Sequence, residues 1–209
     1  MSEFENKKIC LLDFKTGNTG SVSNLLEKLN IKYCVSNKNH EIESSSHLIL
    51  PGVGSFEKAI NNLKNEIDID LVEKQVFDHK KPILGICVGM QIMAENGNEF
   101  GNHKGLGWIE GKVDIIDSKR LSLPHVGWNT VEIKKKNKVF NNFDKNYDFY
   151  FVNSYCMYLK NKIDILATSN YGSDFPSIIN KNNIYGFQFH PEKSQRAGKM
   201  LLKNFFDLN

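Results

Sequence analysis

Two hydrophobic periods run through this chain, and the places where one gives way to the other predict its elements. KKICLLDF at 7–14 is an apolar run of strand length, and KTGNTG at 15–20 is a glycine-containing turn. SVSNLLEKLN at 21–30 then repeats apolar residues at helical spacing, with Val22, Leu25, Leu26 and Leu29 on one face. The unit recurs. IKYCVS at 31–36, HLILPG at 47–52 and PILGIC at 82–87 read as strands. SFEKAINNL at 55–63, DLVEKQVFDHK at 70–80 and the stretch from Val88 to Met93 read as helices. Strands that alternate with helices need crossover connections, which predicts a parallel sheet.

After about residue 108 the pattern changes to strand upon strand: WIEGKVDII at 108–116, NTVEIKK at 129–135, DFYFVNSY at 148–155 and IDILATSN at 163–170. SIIN at 177–180 and IYGFQFH at 184–190 follow around the turn KNN. These read as antiparallel. A last helix at 194–208 takes Ser194 as its cap and buries Met200, Leu201, Leu202, Phe205 and Phe206. With no linker, repeat or low-complexity segment, the expectation is one domain over 1–209. Its fold class is α/β: a doubly wound, mostly parallel central sheet with flanking helices and an antiparallel C-terminal portion.

The 209 residues are enough for one well-cored domain, and 40% hydrophobic with 24% charged residues is ordinary for a globular protein. The formal net charge is only +3, and the densest basic run, IKKKNK at 133–138, reads as a solvated strand end. No nucleic-acid partner is expected. The polar opening MSEFENKK lacks the apolar core of a signal peptide, and no apolar run reaches membrane-spanning length, so a cytoplasmic location without membrane contact is expected. Cys10, Cys34 and Cys156 fall inside apolar runs and read as buried thiols.

Cys87 is different, because it stands between Gly85 and Gly89 where a strand passes into a helix. In a parallel sheet that is the carboxyl end of a strand, where ligands gather. The helix N-terminus favours the thiolate, and the flanking glycines suit a tight nucleophile elbow in which a side chain would crowd the turn or block the thiol. In YGFQFHPEKS at 185–194, His190 and Glu192 stand two residues apart in an extended segment, so the carboxylate can orient the ring towards the thiol. His40, His47, His79 and His103 have no comparable setting. A zinc site from Cys87, His190 and Glu192 lacks a fourth ligand at metal spacing, so no metal or other cofactor is expected. For the oxyanion of a thioester-forming reaction, the Val88 N–H is one donor, and LPGVGSF at 50–56 offers a second near Gly52 and Gly54.

Taken together and in order, LPGVGSFEKAI, LGICVGMQ, FYFVNSY and YGFQFHPEKS resemble the class I (triad) glutamine amidotransferases. GLGWIEGKV at 105–113, PHVGWN at 124–129 and HPEKSQ at 190–195 are similar to the glutaminase subunits of imidazole glycerol phosphate synthases. The resemblance implies Cys87 as nucleophile, His190 as base and acid, Glu192 as its orienter, and Gly52, Val53 and Val88 as the oxyanion elements. It places L-glutamine against Gln91, Glu99 and the backbone of Ser154 and Tyr155. It further implies release of ammonia to a (βα)₈-barrel synthase partner in a heterodimer, in histidine biosynthesis. Lys193, Trp128, Asn129 and Asn18 are expected at the partner-facing mouth: Lys193 because an extended segment turns it away from His190 and Glu192, Trp128 because it lies in a turn-like stretch without an adjoining apolar run. The chain departs from the subunit pattern at Lys15, Thr16, Trp108, Asn153 and Cys156. Related pairs that amidinate surface sugars therefore stay open as an alternative, as does a non-catalytic or peptidase-like member of the same fold.

Overall fold

The computed structural model of the chain describes residues 7–16 and 18–208. Residues 1–6 of the polar opening, Gly17 of the expected turn, and Asn209 lie outside the described residues. The first half alternates as the periods predict: β1 (Lys8–Leu12), α1 (Thr19–Lys28), β2 (Lys32–Ser36), α2 (Asn39–Ser44), β3 (His47–Gly52), α3 (Phe56–Glu66), α4 (Ile69–Glu73) and β4 (Ile83–Cys87). α4 is shorter than the predicted helix and runs on as a π turn at Lys74–Asp78. Every residue of β3 and β4 is buried. That is why their sequences are continuous apolar runs rather than alternating ones.

α5 (Val88–Gln91) is followed by β5 (Ala94–Gly97), β6 (His103–Lys104), β7 (Ile109–Ile115), β8 (His125–Ile133), β9 (Tyr147–Asn153), β10 (Tyr155–Leu159), β11 (Ile165–Tyr171), β12 (Ser173–Lys181), β13 (Ile184–Phe187) and α6 (Gln195–Phe206). The main sheet has nine strands in the order β2-β1-β3-β4-β13-β12-β11-β8-β9. Neighbours from β2 to β13 are parallel and those from β13 to β9 antiparallel. This is the expected α/β class, with one strand shared between its two halves: β13 is antiparallel to β12 and parallel to β4.

The structure corrects the elements elsewhere. The helix after Cys87 is a single turn, because Ala94 leaves it to pair with Ile109 in a second sheet of order β10-β7-β5-β6. DFYFVNSY is not one strand: it breaks at Ser154, with β9 in the main sheet and β10 in the smaller one. PHVGWN is not turn-like but opens β8, whose Trp128 is paired with Tyr150. Ser194 does not cap α6 with its side chain; its hydroxyl donates to the His190 carbonyl and accepts from the Tyr150 N–H. Met200 is only partly buried, whereas Leu201, Leu202, Phe205 and Phe206 are core residues. Among the described residues, no helix is long and apolar enough to cross a membrane.

What this fold does for a site is visible at the centre of the sheet. Gly52 at the end of β3 lies opposite Cys87 at the end of β4, and Phe187 of β13 lies opposite Ile86, so three carboxyl ends meet. Beyond β13 the chain stays extended: Gln188 N–H donates to Ser177 O at 2.9 Å and His190 N–H to Tyr150 O at 2.9 Å. Alternation then sends Phe187 and Phe189 to one face, and Gln188 and His190 to the other. Phe189 stacks on Phe149 at 4.1 Å and on Phe187 at 5.6 Å, and meets Phe151 edge-on at 5.5 Å. Truncating Phe189 to alanine should therefore cost about 3–5 kcal/mol of stability. Urea unfolding of parent and variant measures it, and a loss below about 1 kcal/mol would show that this aromatic stack does not hold the segment.

Candidate active site

Cys87 closes β4 with φ 54 and ψ −112, a backbone conformation rare for any residue but glycine. The sharp reversal works because Gly85 and Gly89, two positions to either side, carry no side chains. A Cβ on Gly89 would lie 1.8 Å from the Leu50 carbonyl oxygen, and one on Gly85 would lie 2.6 Å from the Met90 nitrogen. Both would strike backbone, so crowding of the turn, rather than blocking of the thiol, is what excludes them. α5 is only four residues long, so the dipole expected to favour the thiolate is that of one turn.

His190 and Glu192 meet as expected, though not along an extended strand. Pro191–Lys193 forms a 3₁₀ turn, and that turn folds the carboxylate back to 2.8 Å from His190 Nδ1. The carboxylate leaves the ring's other nitrogen unengaged, and Cys87 lines the same cleft as the ring and acts on its charge. Both side chains of the ion pair are buried. Asn18 completes the arrangement: in a left-handed conformation at the start of α1, it makes no cap with its side chain and donates Nδ2–H to Glu192 Oε1 at 2.6 Å.

Electrostatics separates this histidine from the other buried ones. Burial, helped by the Lys7 and Lys81 charges, drives the pKa of His47 down to about 4, and burial lowers that of His125, which is stacked between Phe151 at 5.1 Å and Tyr171 at 4.1 Å. At His190 burial works in the same direction, but hydrogen bonds and charges from Cys87 and Glu192 outweigh it and raise the pKa to about 10. Burial likewise opposes the charge on Glu192. His190 and then Asn18 override it and hold the carboxyl below the usual range.

Cys87 and His190 line a cleft of about 270 Å³. The structure brings to it Val53, Val88, Gln91, Glu99, Ser154 and Tyr155, all picked out by resemblance, together with Cys87, His190 and Lys193. Glu99 is fixed by the Phe56 N–H, which donates to its Oε2 at 2.7 Å. Gln91 donates Nε2–H to the Tyr155 carbonyl at 2.9 Å and to Gln188 Oε1 at 3.1 Å. Lys193 reaches the rim, its Nζ 5.8 Å from the centre of the Tyr150 ring. Trp128 meets the same ring at 5.9 Å and is 48% exposed. Asn129 does not join them. It lies on the opposite face of β8, with Nδ2 donating to the Asn170 carbonyl at 2.9 Å and facing His125. Asn18, also expected at the mouth, instead spends its side chain on Glu192.

Two groups at the thiol escaped the sequence reading. Gln188 Nε2 lies 3.9 Å from Cys87 Sγ, and the Val152 carbonyl lies 4.0 Å from it. The signal for Gln188 was present, since it shares the period-two face of His190. A backbone carbonyl from a strand distant in sequence has no such signal. Among the described residues, no group of three or more His, Cys, Asp or Glu side chains gathers as a metal-holding set.

The family model of class I glutamine amidotransferases matches residues 10–208. The chain is 43% identical over 198 residues to imidazole glycerol phosphate synthase subunit HisH 2 of Methanococcus maripaludis, an alignment covering 94% of this chain and 98% of that protein. To imidazole glycerol phosphate synthase subunit HisH of Leptospira borgpetersenii it is 41% identical over 204 residues, covering 96% and 100%. Among solved structures, PurLQS from Thermotoga maritima superposes with a TM-score of 0.76 at 14% identity, covering 96% of this chain and 98% of that one. At that identity the likeness concerns the fold alone.

The buried pair makes stability depend on pH in a defined window. The raised pKa of His190 contributes stability that is complete below 6.5, the ring's ordinary value, and lost as pH rises through about 10. The lowered pKa of Glu192 contributes stability present above 4.5 and lost as pH falls. The pair therefore helps most between those two values. Glu192→Gln should destabilise most near pH 5–6 and progressively less towards pH 10, read from urea midpoints at each pH. A penalty that grows with alkalinity would refute the assignment.

Proposed function

Because the chain belongs to the class I glutamine amidotransferases, we propose that it cleaves the side-chain amide of L-glutamine through a thioester on Cys87, as the glutaminase subunit of an imidazole glycerol phosphate synthase in histidine biosynthesis. The observation that carries this is the line Cys87–His190–Glu192 on a nucleophile elbow. His190 takes the thiol proton, and sulfur attacks the amide carbon to give a tetrahedral oxyanion. The backbone N–H of Val88 and the strand at Gly52 and Val53 serve as its donors. His190 then protonates the leaving nitrogen and ammonia departs. Water, deprotonated by the same ring, cleaves the thioester to glutamate.

Substrate recognition follows from which groups are already engaged. The Tyr155 carbonyl accepts from both Gln91 and Asn153, so the α-carboxylate of glutamine is assigned to the N–H groups of Ser154 and Tyr155. Glu99 has one oxygen held by Phe56, and its other oxygen is assigned to the α-ammonium. Gln91 presents its Oε1, since its nitrogen is used inward.

Ammonia in neutral water is mostly ammonium and a poor nucleophile, so a partner must receive it through a shielded route. A barrel synthase subunit is the partner proposed, and the surface at the mouth fits a docking role. Val126, Trp128 and Val152 are exposed on one face of the β8–β9 pair, and Val53 is exposed at the cleft. An apolar patch beside a catalytic opening, with a cation at its rim, is what an interface requires. Trp128→Ala and Lys193→Ala should each weaken the complex about tenfold or more in titration calorimetry against the barrel subunit, and unchanged affinity in both would place docking elsewhere.

The division of labour gives the sharper test. Cys87→Ala should abolish glutamate release from glutamine, with and without the partner, and leave synthesis from added ammonium salts in the assembled complex within about twofold of the parent. Equal loss from both nitrogen sources would contradict the reading.

A further inference from the structure

Four groups that the proposed mechanism uses only in part are joined into one chain: the Tyr155 carbonyl, Gln91, Gln188 and the Cys87 sulfur. Their orientation is not open to choice. A backbone carbonyl can only accept, so the group of Gln91 that faces Tyr155 O at 2.9 Å must be its NH₂. The same nitrogen stands 3.1 Å from the Gln188 amide, so Gln188 must face it with oxygen. That leaves the Gln188 NH₂ as the end that faces Cys87 Sγ, at 3.9 Å. Flipping Gln188 alone sets donor against donor; flipping both sets acceptor against acceptor at Tyr155. Gln188 and Gln91 are buried, and the Gln188 backbone N–H is itself bonded to Ser177, so neither side chain has room for a second arrangement.

We propose that Gln188 is a further catalytic residue, whose amide N–H donates to the Cys87 sulfur in an orientation dictated by Gln91. The inference rests on Cys87 being the nucleophile. A donor on sulfur stabilises the thiolate that must form before attack, whereas the Val152 carbonyl can accept only from the neutral thiol. Gln91 thereby holds two posts. Its oxygen is presented to glutamine while its nitrogen fixes the group that supports the nucleophile, so loss of Gln91 must reach the sulfur without any substrate bound.

Iodoacetamide alkylation of Cys87 in the full chain, followed by mass spectrometry of the Cys87 peptide across pH, tests this with no substrate or partner. In Gln188→Met the alkylation profile should move about one pH unit to the alkaline side, which is about tenfold slower labelling at pH below the profile midpoint. In the assembled complex this variant should lose kcat while KM stays within about twofold. Gln91→Met should shift the alkylation profile in the same direction by a smaller amount and should raise KM as well. A lower melting temperature with the parent's alkylation profile would overturn the proposal, leaving Gln188 a packing residue. If Gln188→Met fails to fold, Gln91→Met decides, and an unshifted profile there also overturns it. Failure of the underlying reading looks different: Cys87 would label no faster than Cys34 in the parent itself.

Discussion

The turn that carries Cys87 is held by contact of backbone with backbone, and the remainder of the site is placed relative to it. Gly89 lies so close to the Leu50 carbonyl that not even a methyl group fits between α5 and β3. That closeness makes a reversal at φ 54 possible directly after a buried strand, and it presses the end of β4 against the end of β3, where Gly52 stands opposite Cys87. Strain in the one residue is supported by the packing of a fully buried sheet centre. With the thiol fixed there, the proposed oxyanion donors, the cleft and the histidine segment that follows β13 all have defined positions.

The second half of the arrangement is a charge kept away from water. His190 and Glu192 are buried as deeply as His47 and His125, yet the ring is driven the opposite way because Cys87 and Glu192 act on it. A buried pair of this kind holds its geometry because either member alone would be an uncompensated charge. Asn18 extends the line by one further hydrogen bond to the start of α1, and Ser194 ties the His190 carbonyl to β9. The pair thus joins the first helix, the 3₁₀ turn and the antiparallel half of the sheet.

Much of this was legible in the residues themselves. Continuous apolar runs marked β3 and β4, the glycines around Cys87 marked the elbow, and the spacing of His190 and Glu192 marked their meeting. The misreadings have physical causes. The helix after Cys87 ends after one turn because Ala94 is drawn into a second sheet by β7, a long-range pairing that local periodicity cannot show. PHVGWN reads as a turn because Gly127 and Pro124 break the apolar pattern, yet β8 is long and pairs on both sides with the antiparallel half. Asn129, expected at the mouth with Trp128, lies on the other face of β8, because successive residues of a strand face opposite ways. Lys193 reached the rim for a different reason than expected, through a 3₁₀ turn rather than strand alternation.

The central claim is that Cys87 is the atom on which glutamine chemistry occurs. A diazoketone analogue of glutamine, which alkylates a nucleophile only after occupying its substrate cleft, tests it without any partner or acceptor. Peptide mass spectrometry should find one adduct, on Cys87, suppressed by excess L-glutamine and absent in Glu192→Gln chains labelled for the same short time. Labelling spread over Cys34 and other thiols, or labelling of Cys87 that glutamine does not suppress, would contradict the account.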